Sequence, residues 1–185
     1  GKTNGEVYKV KPGNSKYVDV NKDGVYNDAD QGIIGCGQPT FNWGWNNTFN
    51  YKNFDFSFFV VGFHGFDIYN ATHQMGYNLI KSQQMAGVTP MRELLNRWTP
   101  TNTNTDIPGF VKGGTENKDF FSTRFVENGS FIKMKSITLG YTLPEATCRS
   151  LGINNLRVYA SVQNPFHITK YSGLDPEATM GSPLV

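Results

Sequence analysis

The 185-residue sequence lacks the features that mark several large classes of protein. It contains no run of about 18 apolar residues, so a transmembrane helix is excluded. Its formal net charge is only +2 and it has no basic run, which gives no support for nucleic-acid binding. GxSxG, P-loop and HExxH motifs are all missing, and we predict no enzymatic activity. The two cysteines, Cys36 and Cys148, match no CxxC or zinc spacing, and we expect both to be free.

The residues that are plentiful suit turns, wet strands and aromatic girdles. Aromatic side chains make up 14% of the sequence, and glycines number 20. A mean hydropathy of −0.44 would ordinarily suggest a soluble protein. It does not exclude a membrane β-barrel, because half of each barrel strand is polar and the average conceals the apolar half.

The most informative stretch is an alternation of large apolar and small polar residues that begins at Phe41. Successive side chains of a β-strand point to opposite faces, so alternation predicts one apolar and one polar face. Asn47 is the one break in the apolar row. The apolar set is Phe41, Trp43, Trp45, Phe49 and Tyr51, and the polar set is Asn42, Gly44, Asn46, Thr48 and Asn50.

A second alternating segment follows a two-residue turn at Lys52 and Asn53. Its apolar members are Phe54, Phe56, Phe58 and Val60, while Asp55 and Ser57 lie on the other face. Strands of soluble sandwiches usually run about 5–6 residues, and tilted membrane strands need about 9–11. The length and the aromatic weight predict an outer-membrane β-barrel hairpin. An antiparallel sandwich shares the same period of two and stays open as the alternative.

The later segments resume the strand pattern after a long connection. We predict helices near 72–86 and 91–98 within that connection, then strand character over 123–142. A short helical turn ending at Gly152 should follow, and then a strand over 156–163. Asn164 and Pro165 are predicted to end that strand, because proline interrupts a hydrogen-bonded ladder.

One motif carries cation chemistry. Asp19, Asn21, Asp23 and Asp30 occupy positions 1, 3, 5 and 12 of an EF-hand-type loop, with the Val25 carbonyl at position 7. Calcium takes six to eight oxygen ligands, which this spacing can wrap around one ion. The sequence therefore predicts a structural Ca²⁺ site. An Asp/Asn/Gly turn without an ion is the alternative.

Aromatic residues of the long connection are candidates for ligand binding. Tyr69, Tyr77, Trp98 and Phe110 could stack on a sugar or on a peptide side chain. Packing within the loop accounts for them equally well.

An ordered series of short segments closely resembles the C-terminal part of the SusC/RagA family, TonB-linked (TonB-dependent) outer-membrane transporters of Gram-negative bacteria. The series covers nearly the whole chain. It comprises YVDVNKDG at 17–24, IIG at 33–35, FNWG at 41–44, YKNFDFS at 51–57, DIYN at 67–70, RWTP at 97–100, TDIP at 105–108, STRFVENGSF at 122–131, ITLGYTLP at 137–144, LRVY at 156–159, QN at 163–164, KYSG at 170–173 and DPE at 175–177.

The resemblance implies an all-β membrane fold, namely the C-terminal antiparallel strands of a 22-stranded barrel with long extracellular loops containing short helices. We therefore expect a fragment of a larger transporter. The divisions are an extracellular region with the calcium loop (1–39), a transmembrane hairpin (40–63), a long extracellular loop with short helices (64–122), strands joined by a periplasmic turn (123–164) and an extracellular loop before a missing closing strand (165–185).

The implied function is import of nutrients, oligosaccharides more than peptides, across the outer membrane. The implied partners are a SusD-like surface lipoprotein that acts as a lid, TonB through a plug domain outside this chain, and outer-membrane lipid. A secreted calcium-stabilised carbohydrate-binding β-sandwich module is the alternative function.

Overall fold

The computed structural model describes residues 12–15, 17–24, 28–77, 90–109 and 122–179. The chain divides into two compact units, one comprising Gly1–Ile34 and Tyr69–Val126 and the other Gly35–Ile68 and Glu127–Val185. Within the described residues, no helix is both long and apolar enough to cross a membrane.

The second unit is built on a four-stranded antiparallel sheet in the order β1-β2-β5-β6. The strands are β1 (Phe41–Tyr51), β2 (Phe54–His64), β5 (Phe131–Thr142) and β6 (Arg157–Thr169), and they run for 11 to 13 residues. Lys52, with φ of 52°, turns β1 into β2, as the sequence predicts. At about 3.3 Å per residue, such strands are long enough to cross hydrocarbon at a tilt.

The register gives the sheet the two faces that the alternation predicts. Thr48 stands opposite Ser57, and Phe49 opposite Phe56, so like residues share a face. On the apolar face the rings pack on one another, with the Trp45 and Phe58 centroids 5.2 Å apart. Trp45 is nevertheless 56% exposed. We call these two surfaces the apolar face and the polar face.

Relative to β2, strand β5 contains one extra residue, Lys135, at the point where its pairing shifts. Met134 pairs with Val60 and Ser136 with Phe59, so Lys135 has no opposite residue on β2. A bulge of this kind changes the parity of a strand. The odd-numbered Lys133 and the even-numbered Ser136 therefore lie on the same face, the polar one.

The predicted end of the last strand at Asn164 and Pro165 is wrong, because β6 continues to Thr169. Met134 pairs with Phe166 and Ser136 with Gln163. Asn164 and Pro165 therefore lie together in an irregular step opposite the single residue Lys135. Asn164 has φ of 48°. The bulge accommodates the proline, which has no N–H to donate, and the ladder resumes beyond it.

The sheet has a turn end and a loop end. At the turn end, β5 and β6 are joined through α2 (Glu145–Ser150), followed by Gly152 with φ of 70°. This confirms the predicted helical turn. Cys148 is buried in α2, whereas Cys36 is exposed near the loop end, and both are free thiols.

At the loop end, strand character over 123–142 is not continuous. A 3-10 helix (Thr123–Phe125) and a short strand β4 (Val126–Asn128) precede β5, and β4 forms a two-stranded sheet with β3 (Asp67–Tyr69). A small hydrophobic core lies beside it, made of Val61, Phe63, Phe66, Ile68, Phe131 and Tyr171. Helix α3 (Pro176–Thr179) follows β6.

The first unit contains helix α1 (Ala71–Tyr77), at the place where the first loop helix is predicted. Residues 78–86 of that predicted helix lie outside the described residues. The second predicted helix, near 91–98, is instead a 3-10 helix over Arg92–Asn96. Another 3-10 turn spans Asp28–Asp30.

Candidate functional site

The polar face carries an ion pair that spans three strands near the turn end. Arg157 on β6 donates to both carboxylate oxygens of Asp55 on β2, at 2.9 and 2.6 Å. The pair passes over Gly140 on β5, where a Cβ atom would lie 2.4 Å from Asp55 Oδ1. The Arg157 guanidinium also lies over the Tyr159 ring, 5.1 Å from its centroid. The charge of each partner is thereby neutralised on the sheet itself.

A second group of charges lies at the loop end of the polar face. Buried Lys133 donates to Asp175 and to Glu177, both at 2.7 Å, and Lys135 donates to the other oxygen of Glu177. We call these four residues the loop-end ion cluster. Hydrogen bonds from Lys133 and then Lys135 lower the pKa of Glu177 below its ordinary value. Two cations and two anions balance, so this cluster also adds no net charge to the polar face.

Within the second unit, the segment after β6 is held at a further point. Ser172 donates through its N–H and its hydroxyl to the two oxygens of Glu127, at 2.7 and 2.8 Å. Tyr171 is buried in the hydrophobic core beside β3 and β4. Together with the loop-end ion cluster, these contacts hold residues 171–177 against the loop end of the sheet.

In the first unit, an aromatic cluster surrounds Phe125. The rings of Tyr69, His73 and Tyr77 meet the Phe125 ring at steep angles, with centroids 6.2, 6.0 and 6.1 Å away. Two of the four predicted ligand-binding aromatics, Tyr69 and Tyr77, are thus brought together. Their half-buried rings, and the polar groups beside them, could hold a sugar ring or a peptide side chain.

The Tyr77 hydroxyl ties this cluster to the neighbouring 3-10 helix. It donates to Glu93 Oε2 at 2.6 Å, and His73 Nε2 lies 3.5 Å from the same oxygen. Burial and then the bond to Glu93 raise the pKa of Tyr77 to about 12. The hydrogen bonds from Tyr77 and then His73 lower the pKa of Glu93. At neutral pH this part of the surface presents a fixed carboxylate beside aromatic rings.

Trp98, a third predicted ligand-binding aromatic, lies in a different set of contacts. The Trp98 ring packs against Gly13, where a Cβ would lie 2.3 Å from the ring, and against Gly109. The backbone N–H of Trp98 also donates to the Ile107 carbonyl at 2.9 Å. Trp98 therefore has a packing role in its loop. Phe110 lies outside the described residues.

The predicted calcium loop forms a tight turn. Asp19 accepts the N–H groups of Asp23 and Gly24, at 3.2 and 2.8 Å, and Asp30 accepts the N–H of Val20 at 2.9 Å. Gly24 adopts φ of 81°, which suits glycine at the sharp bend of such a loop. Val25 lies outside the described residues. Among the described residues, no three His, Cys, Asp or Glu side chains form a group that could hold a metal ion.

Sequence reasoning assigned Asp55 to the polar face but did not pair it with Arg157, and it missed the loop-end ion cluster. A usable signal was present, since a charge on a membrane-spanning strand needs a partner or water. Pairing these charges requires the strand order β2-β5-β6 and the bulge at Lys135. The sequence indicates neither of them directly.

Comparison with curated proteins identifies relatives over most of the chain. It is 36% identical over 167 residues to TonB-dependent receptor P3 of Formosa agariphila, covering 90% of the chain and 16% of the relative. It is 32% identical over 173 residues to TonB-dependent receptor SusC of Bacteroides thetaiotaomicron, covering 92% of the chain and 16% of the relative. The chain thus spans about a sixth of these relatives' length. No family model matches it.

Solved structures give the same assignment. The RagAB peptide importer in the closed-closed state matches with a TM-score of 0.65 and 26% identity, over 83% of this chain and 16% of that one. Its open-open state matches with a TM-score of 0.62 and 27% identity, over 76% and 15%. These are outer-membrane proteins of the TonB-dependent class. The chain belongs to the SusC/RagA family of TonB-dependent receptors, β-barrel proteins of the Gram-negative outer membrane.

Proposed function

We propose that this chain forms part of the barrel wall of a TonB-dependent importer that brings oligosaccharides across the outer membrane. The observation that carries the proposal is the four-stranded sheet, with one exposed aromatic face and one polar face, in a chain related to SusC and RagAB. The apolar face suits lipid and the polar face suits a watery interior. A calcium-stabilised sandwich module is not favoured, because no second sheet covers the apolar face among the described residues.

The rest of the machinery lies outside the chain. We propose a complete barrel of 22 strands, a plug domain that engages TonB, and a SusD-like lipoprotein lid over the extracellular loops. No catalytic step enters this scheme. Binding of nutrient to loop residues and movement of the plug, with energy supplied through TonB, account for import.

Oligosaccharides are favoured over peptides by the chemistry of the polar face. Its charged residues are paired with one another in the Asp55–Arg157 pair and the loop-end ion cluster. Between these two groups the polar face presents mainly hydroxyl and amide side chains, which suit a neutral solute rather than a peptide with charged termini. Peptide import is the competing candidate, because the RagAB structures are those of a peptide importer.

The four aromatic residues are proposed ligand contacts that differ in how much of each ring could meet a ligand. Tyr69 and Tyr77 border a common cluster with the Glu93 carboxylate, which could accept hydrogen bonds from sugar hydroxyls. Trp98 would contribute only the part of its ring that Gly13 and Gly109 leave uncovered. Phe110 is proposed as a further contact from its place in the same loop.

A growth comparison tests the proposed function. The gene is deleted in the source organism, and the strain is grown on a panel of single polysaccharides and on a peptide digest as sole nutrients. We expect loss of growth on one or more glycans and unchanged growth on peptides. Loss on peptides alone would replace the substrate class, and unchanged growth throughout would contradict the import function. Detergent extraction and pull-down then test for a co-purifying lipoprotein.

We also propose that the loop at 19–30 binds Ca²⁺, held by Asp19, Asn21, Asp23, Asp30 and the Val25 carbonyl. The tight turn at Gly24 supports this assignment, and the ion would replace N–H groups that the carboxylates now accept. Its role would be to stiffen the segment.

Protease protection of the full-length transporter tests the calcium proposal. We expect calcium to slow cleavage within residues 1–39 of the wild type, and Asp23→Ala to abolish this effect. Asp28→Ala, at loop position 10, serves as the matched control and should behave as wild type. Equal cleavage of the wild type with and without calcium would rule out the site.

A further inference from the structure

Four hydroxyl side chains lie in one continuous line across the polar face. Thr48 on β1 stands opposite Ser57 on β2, Ser57 opposite Thr138 on β5, and Thr138 opposite Ser161 on β6. We call this line the hydroxyl row. It crosses every strand of the sheet perpendicular to the strand direction, about a third of the way from the turn end to the loop end.

The position of the hydroxyl row sets it apart from the charged groups. Asp55 and Gly140 occupy the next polar-face positions toward the turn end, where Arg157 neutralises the carboxylate. Toward the loop end come Phe59, Ser136 and Gln163, and beyond them the loop-end ion cluster. The hydroxyl row is thus a neutral strip with a balanced ion group on either side.

The side chains of the row are available to a solute. Thr48 and Ser161 are exposed, and Ser57 and Thr138 are half-buried. Thr138 Oγ1 and Ser161 Oγ share one hydrogen bond at 2.9 Å. A hydroxyl offers one donor and two acceptor positions, so this bond leaves capacity for a further partner. Short side chains also leave room above the wall.

These properties suit a particular class of ligand. A hydroxyl can exchange donor and acceptor roles with each sugar hydroxyl that passes, whereas a fixed charge holds a hydration shell that a neutral sugar must displace. We infer that the hydroxyl row is a contact surface in the barrel wall for an uncharged oligosaccharide in transit. This inference rests on the proposed import function and adds a specific wall site to it.

Single cysteines in the full-length transporter test the inference. The background carries Cys36→Ser and Cys148→Ala, and Ser57→Cys and Ser161→Cys are introduced one at a time. Their matched controls are the adjacent apolar-face variants Phe58→Cys and Val162→Cys. Each unmodified variant is first required to support growth like the wild type, which shows that it folds and inserts.

Whole cells are then treated with three methanethiosulfonates of similar size: the cationic trimethylammonium-ethyl, the anionic sulfonatoethyl and the neutral hydroxyethyl reagent. Uptake is measured for the glycan that the growth comparison identifies. At positions 57 and 161 we expect either charged adduct to reduce uptake roughly tenfold, because a neutral sugar must displace the water held by the charge. The hydroxyethyl adduct should preserve most of the uptake. The apolar-face cysteines should not react with these aqueous reagents.

The outcomes separate this inference from the proposed function. Equal uptake with charged and neutral adducts, or failure of both polar-face cysteines to react, would overturn the hydroxyl row while leaving import intact. If deletion of the gene impairs growth on no glycan, oligosaccharide import itself fails, and the row as an oligosaccharide contact fails with it. A charged adduct that impairs uptake of peptides alone would likewise overturn the assignment to oligosaccharides.

Discussion

Arg157 and Asp55 form a two-pronged ion pair although a complete strand, β5, lies between them. Nε and Nη2 of the arginine reach the two carboxylate oxygens at 2.9 and 2.6 Å. The bridge is feasible because Gly140 presents no side chain beneath it. Paired in this way, the two charges are compatible with a strand that crosses a membrane, where an unpaired charge is costly.

Gly140→Ala should therefore separate the pair. The added Cβ would lie 2.4 Å from Asp55 Oδ1 and 2.5 Å from Arg157 Nη2. At these distances the methyl group, the carboxylate and the guanidinium cannot all keep their positions. We expect a lower thermal midpoint of the full-length barrel in a heat-modifiability gel assay. Gly44→Ala, on the same face, is the control, because the nearest neighbour of its added Cβ is the edge of the Phe59 side-chain ring at 3.3 Å. Equal midpoints for the two variants would show that the pair does not depend on Gly140.

The face assignment predicts opposite results at adjacent residues of β1. Trp45 lies on the apolar face and is 56% exposed, while Asn46 lies on the polar face opposite Phe59. Trp45→Lys should cost roughly 2–4 kcal/mol of unfolding free energy near the bilayer midplane. Asn46→Lys should be tolerated. Denaturant titration of the barrel in lipid vesicles measures both, and similar losses at the two positions would contradict the assignment.

Acid should release residues 171–177 from the sheet. The pKa of Glu177 is lowered by its bonds to Lys133 and Lys135, so its stabilising contribution is complete above the ordinary value of 4.5. It is lost as the pH falls from there through the lower folded-state value. We expect protease cleavage of this segment to be constant between pH 7 and pH 5 and to rise below pH 4.5, using an acid-active protease.

Two variants define the source of that pH dependence. Glu177→Gln removes the titrating group that Lys133 and Lys135 share, so it should weaken the anchorage at pH 7 and flatten the pH profile. Glu145→Gln, in an exposed pair with Arg149, should leave the profile unchanged. A profile that keeps its full pH dependence in Glu177→Gln would assign the transition to another group.

Tyr77→Phe should loosen α1 without emptying the aromatic cluster. It removes the 2.6 Å hydrogen bond to Glu93 but keeps the ring against Phe125. A bond to a partly exposed carboxylate is worth about 1 kcal/mol, and local hydrogen exchange of residues 71–77 should accelerate accordingly. Met75→Leu, at a 43% exposed position, is the control. Unchanged exchange would show that Glu93 does not anchor the helix.

The alternation in the sequence was sufficient to predict much of the sheet. Phe41 to Tyr51, the turn at Lys52 and the helical turn before Gly152 all lie where simple periodicity and turn chemistry place them. The extension of β6 past Pro165 could not be predicted in this way. A proline normally ends a ladder, and it is tolerated here because β6 itself bulges, with Asn164 and Pro165 opposite the single residue Lys135.

The candidate site was less accessible to sequence reasoning. Tyr69 and Tyr77 were identified from their residue type and their place in a long loop, and both border the Phe125 cluster. Lys133 and Glu177 are 44 residues apart, and nothing local in either segment signals that they meet. Such contacts arise from tertiary folding of a loop onto a sheet, which periodicity does not encode.

The extra residue Lys135 also limits which insertions and deletions strand β5 can tolerate. Without that one extra residue, Lys133 and Phe131 would exchange faces with Ile132 and Met134. A buried, doubly paired ammonium would then lie against hydrocarbon, and its two acidic partners would be left behind. Loops on a protein surface tolerate insertions and deletions of many residues. Loss of a single codon at position 135 would instead invert one end of a strand, so we expect the residue count of β5 to be much less tolerant of insertion or deletion than the lengths of the surrounding loops.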